Sequence, residues 1–260
     1  MKKIMTIAAA AAAMLAVADG VESGIVGYKQ IAVSAGTMVG MGVQFNDTSS
    51  ENTIAVKDLI SIPEADQKGA NALAVGADQI WMWDVANTVW KKYFFRKQGT
   101  RVIGWCKQGE TAVTEDTLAD GDGFFFVRPT GSGTTVTLNG AVNCKDPSLP
   151  VTVAAGTMTF MTYPWPLSYA IADFVNNIPV ADQKGANALA VGADQIWTWD
   201  VANTVWKKYF FRKQGTKVIG WCKQGETAVT ADTIDPGTCF FFVRPTGSGT
   251  TITFTKPAGL

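Results

Sequence analysis

The chain of 260 residues contains no histidine. That excludes Ser-His-Asp and Cys-His nucleophile pairs and every metal site that needs an imidazole. Charge is sparse: 17% of residues are Asp, Glu, Lys or Arg, and 22 basic residues balance 22 acidic ones. Without a basic excess the chain lacks the electrostatic footprint of a nucleic-acid binder, so no nucleic-acid partner is expected. No segment beyond the N-terminus offers the ~20 apolar residues that span a bilayer, so no transmembrane segment is expected. Acid–base chemistry would have to rest on carboxylates, yet Asp84, Asp116, Asp120 and Asp122 fall among turn residues. Solvated turn carboxylates are expected there, not a catalytic pair. Asp120-Gly121-Asp122-Gly123 lacks the spacing and closing Glu of an EF-hand calcium loop and reads as a plain turn. The expectation is a chain without enzymatic activity, metal or cofactor.

What is present begins with an export signal. Lys2 and Lys3 precede a short apolar run, Ile4 to Leu15, and Ala16-Val17-Ala18 forms a small-x-small cleavage site before Asp19. Residues 1–18 read as a signal peptide. Their removal leaves 242 residues with 20 basic and 22 acidic side chains. The expected location is outside the cytoplasm: periplasm, cell surface or medium.

Internal repetition is the strongest signal. Ala65 to Thr117 matches Ala181 to Thr233 at an offset of 116, and only Met82/Thr198, Arg101/Lys217 and Glu115/Ala231 differ over those 53 positions. Upstream, Ala35-Gly36-Thr37-Met38 matches Ala155-Gly156-Thr157-Met158 at an offset of 120. A period of this size is that of a whole domain, giving residues 19–143 and 144–260 as two copies joined by a short, proline-containing stretch, Cys144 to Pro150.

Within one copy the apolar pattern has period two between turn residues. Ile80 to Trp83, Val89 to Phe95, Val102 to Cys106, Phe124 to Arg128 and Thr134 to Leu138 read as strands. Ile25 to Val33 and Met38 to Phe45 read as an N-terminal hairpin. Ala65 to Ala74 is the one helix candidate, weakened by Gly69 and Asn71. The fold class predicted is all-β: two tandem antiparallel β-sandwich or partly open barrel domains.

The second copy carries Asp194-x-Ile196-x-x-Trp199-Asp200 and then Pro236-Gly237-x-x-Phe240-x-x-x-Arg244. The first copy departs from this, with Asp122-Gly123 two residues closer to its arginine. The layout resembles uncharacterised β-rich tandem-repeat modules of secreted and surface proteins of environmental and gut bacteria. The resemblance implies a fold and carries no catalytic residue.

Three groups of residues are candidates for a role. Trp81 and Trp83, with Trp197 and Trp199, share one face of their strands. If that face is covered they are core; if open, they form a platform of the kind that stacks on sugars. Four cysteines in an exported chain suggest disulfides. Cys222 with Cys239, leaving Cys106 with Cys144, would staple the second copy; free buried thiols are the alternative. Between Val33 and Pro63, and between Val153 and Pro179, the copies differ in sequence and length, Val43-Gln44-Phe45-Asn46 aligning with Tyr163-Pro164-Trp165-Pro166; binding preference could vary there, and neutral drift is the alternative. The function expected is a secreted or cell-surface structural or adhesive module, with a carbohydrate-binding module as the alternative. A glycan or protein at the cell surface is the partner class. Self-association is also open to it, because the near-identical strands of the two copies can exchange partners.

Overall fold

The computed structural model describes residues 26–45, 52–72, 74–144, 146–187 and 190–260. The proposed signal peptide and Asn46 lie outside the described residues. The chain is all-β and falls into two sandwich-like halves. The first half holds β1 (Val26–Val33), β2 (Met38–Gly42), β3 (Thr53–Ala55), β4 (Gln79–Asp84), β5 (Val89–Gln98), β6 (Arg101–Lys107), β7 (Thr117–Ala119), β8 (Gly123–Val127) and β9 (Thr134–Ala141). The second repeats the plan with β10 (Ser148–Val153), β11 (Met158–Thr162), β12 (Tyr169–Ala170), β13 (Gln195–Asp200), β14 (Val205–Gln214), β15 (Lys217–Lys223), β16 (Thr233–Ile234), β17 (Cys239–Val243) and β18 (Thr250–Thr255).

Each half is built on a five-stranded antiparallel sheet, in the order β2-β8-β4-β5-β6 and β11-β17-β13-β14-β15. Two-stranded ribbons, β1-β9 with β3-β7 and β10-β18 with β12-β16, accompany the sheets. Neither sheet closes into a barrel. Alternation along the strands divides the side chains: Ile80, Phe124 and Phe126 point into the main core, and Trp81, Trp83 and Phe125 point the other way. The main core is continuous through both halves, running from Val33 and Phe126 to Phe174, Phe242 and Phe254.

Two local expectations are corrected. The N-terminal hairpin does not form: β1 pairs with β9 and β2 with β8, so the turn between them sends the chain from a ribbon to a sheet. The helix candidate Ala65 to Ala74 contributes to one 3-10 turn, Glu64–Asp66, and then leaves helical geometry. A longer 3-10 helix, Ile171–Asn177, stands in the second half where the first has turn residues 56–58. No helix among the described residues is long and apolar enough to cross a membrane.

Candidate functional site

The outer faces of the two large sheets meet through aromatic side chains. Phe125, Phe160, Phe241 and Cys239 are buried there, with Trp81, Trp83, Trp90, Trp197, Trp199 and Trp206 packed around them. The contacts repeat with the roles of the halves exchanged. Trp83 Nε1–H donates to the Met158 carbonyl at 2.8 Å, and its counterpart Trp199 donates to Met38 at 3.1 Å. The Gly42 N–H donates to the Gly237 carbonyl at 3.0 Å, and the Thr162 N–H donates to Gly121 at 2.8 Å. Residues 42 and 162 are counterparts in the repeat, as are 121 and 237. The halves are therefore related by a pseudo-twofold axis through this aromatic layer.

All four candidate tryptophans belong to the layer. They are half-buried, and their polar handles are occupied. Trp81 Nε1–H donates to Gln79 Oε1 at 2.8 Å and Trp197 Nε1–H to Gln195 Oε1 at 2.9 Å. Lys92 Nζ sits 3.9 Å from the centre of the Trp81 ring, and Lys208 holds the same place over Trp197. Each ammonium lies over a ring face in cation–π geometry.

The cysteine pairing expected from the sequence does not form. Cys106, Cys144, Cys222 and Cys239 are all free. Cys222 on β15 and Cys239 on β17 are separated by β13 and β14, three strand spacings or roughly 14 Å, where a disulfide needs Cα atoms within about 7 Å. Cys222 packs with Ala193 and Phe210, whereas Cys239 lies in the aromatic layer. Burial pushes the Cys239 thiol well above its ordinary pKa. Cys106 packs with Ala77 and Phe94, while Cys144 lies against the shared core.

The aligned but unlike residues pack inward. Val43, Gln44, Phe45, Tyr163 and Trp165 are all buried. Gln44 Nε2 donates to the carbonyls of Tyr163 and Trp165, both at 2.8 Å, and Trp165 Nε1–H donates to the Asn143 carbonyl at 3.0 Å. Their divergence serves the contact between halves.

The turn carboxylates are also committed to structure. Asp84 accepts bonds from the Asn87 side chain and N–H and pairs with Lys91 at 3.0 Å; the Asn87 side chain first, then Lys91, then the Asn87 N–H hold its pKa down at about 2. Asp116 accepts from the Tyr93 hydroxyl at 2.5 Å. Asp120 is buried and accepts from Asn143, which is not the solvated carboxylate expected. Asp122 Oδ2 closes its own turn by accepting the Ala119 N–H at 2.8 Å.

The sequence reading missed Asp78 and Asp194. Each lies fully buried at the entry to β4 or β13 and pairs with a fully buried arginine, Arg128 or Arg244, at 2.8 Å. The signal was available, because Asp194 and Arg244 are the ends of the two motifs. The remaining motif residues are structural in the same way: Ile196 and Phe240 are core, Trp199 reaches Met38, and Gly237 accepts from Gly42.

No family model, no curated protein and no solved structure matches the chain.

Proposed function

We propose that this chain is a non-catalytic structural module of the exported or cell-surface kind, its two halves held together as one body by their aromatic faces. The commitment of the tryptophan face to the joint between the halves is the observation that carries this reading. Residues that could have formed a sugar platform are packed against a second sheet or covered by lysine. The turn carboxylates and both motifs are engaged in the same way, in holding the chain to itself. Such a module works through its outer surface, as a spacer or as an adhesive unit beside surface glycans or proteins.

Two measurements test it. Cell fractionation is expected to place the protein in the envelope or the medium, and a cytoplasmic pool alone would overturn the reading. A glycan array is expected to stay at background. A saccharide signal abolished by Trp81→Ala and Trp197→Ala would establish the carbohydrate-binding alternative instead.

A further inference from the structure

The pseudo-twofold relation is broken at the axis itself. Residues 40, 42 and 123 are glycine, and their counterparts 160, 162 and 239 are Phe, Thr and Cys. The phenyl ring of Phe160 lies between Phe125 and Phe241, at 4.8 and 4.5 Å and at the same tilt of 31° to each. Phe125 and Phe241 are themselves counterparts, so one ring fills a slot whose two walls are equivalent. The glycines provide the room. A Cβ on Gly42 would fall 2.2 Å from Thr162 Cβ. One on Gly40 would fall 2.5 Å from Cys239 Sγ, and one on Gly123 2.9 Å from Cys239 Cβ and 3.2 Å from the Phe160 ring. The space left by the small set of the first half is the space taken by the large set of the second.

We propose that this aromatic face is a mating surface that admits only unlike halves. A glycine-type half takes the phenylalanine-type half of its own chain as its partner. Two phenylalanine-type faces exclude each other by collision, since packed interiors do not absorb an extra ring. Two glycine-type faces leave the slot empty and lose the contacts of a whole phenyl group. The inference goes beyond the structural role proposed above and does not depend on where the protein works.

Full-length variants test it. Gly40→Phe with Gly42→Thr and Gly123→Cys gives both halves the large set. Phe160→Gly with Thr162→Gly and Cys239→Gly gives both the small set. A third chain carries all six changes and so exchanges the sets between the halves. Each homogenised chain is expected to melt about 10 °C or more below the native chain, and the exchanged chain to return to within about 3 °C of it. An exchanged chain no more stable than the homogenised ones would overturn the proposal, as would a homogenised chain that melts with the native one. Should the triple variants fail to fold, Gly42→Ala carries the same test in two backgrounds. It is expected to lower the midpoint in the native chain and to lower it far less beside Thr162→Gly. Strictly additive shifts would count against unlike mating, because groups that do not share a space add independently.

Discussion

Arg128 and Arg244 each hold a guanidinium fully out of water against a carboxylate. Arg128 also donates to the carbonyls of Asp66 and Ser132, so the buried charge is bonded on several sides. Removing one partner of such a pair strands the other charge in the core. Arg128→Ala is expected to lose about 3–5 kcal/mol of stability, as is Arg244→Ala, read from the midpoint and slope of urea unfolding. Asp84 makes a second, pH-dependent prediction. Its carboxyl titrates at about 2 in the folded chain, against about 3.9 when unfolded. The folded value is the lower one, so the contribution of Asp84 is present above pH ~4 and is lost as pH falls toward 2. Carbon-detected NMR titration should show that midpoint, and Asn87→Ala should move it up toward the ordinary range. An unmoved midpoint in that variant would assign the shift elsewhere. At this scale the sequence displayed the important residues without their roles. Asp194 and Arg244 were visible as motif ends, but fifty residues separate them, and no local rule says that the two side chains meet. The tryptophans were legible as one face. Whether that face is covered depends on a second sheet, which lies outside any single strand's pattern.

Period-two alternation located most of the strands, because each sheet has two chemically distinct faces. Ile80 and Trp81 point to different clusters on adjacent residues, and that contrast is readable. Partnership is not readable in the same way. The Ser34-to-Thr37 turn suggests a hairpin, yet β2 pairs with β8, some eighty residues on, because the Phe-rich strand offers both faces to burial. The 3-10 helix Ile171–Asn177 was missed for a related reason. It is seven residues long, too short to show helical periodicity, and its place is fixed by packing. Phe174 is fully buried in it, against Trp221, Phe240, Phe242 and Phe254. Phe174→Ala is therefore expected to cost about 3–5 kcal/mol, although it lies in a segment with no counterpart in the first half. A thermal or urea melt matching the native chain would show that the helix is only an accessory to the core.

Two copies of domain length were evident from the repeat, and both copies reproduce one strand plan. Their face-to-face arrangement was not evident, because near-identity says nothing about the axis that relates the copies. The continuous core gives the whole molecule a testable property. Residues of both halves, Val142 and Trp165 among them, belong to one buried cluster. The chain is expected to unfold in a single transition, with equal calorimetric and van't Hoff enthalpies. Two resolved transitions would show instead that the halves are thermodynamically separate. Refolding is the harder step, since Gln79 to Lys107 and Gln195 to Lys223 compete for the same sheet neighbours. A slow refolding phase whose share does not depend on protein concentration is the expected signature of that competition.

The unequal residues at the axis also bear on the ancestry of the gene. The nearly uniform tract spans residues 65–117 and 181–233, and every unequal axial position lies outside it. Recombination between the copies can overwrite that tract without equalising the unequal axial positions 40, 42 and 123. A conversion event running six residues further would reach position 123 and set Cys against Cys, or Gly against Gly. Selection on the joint between the halves would remove such events.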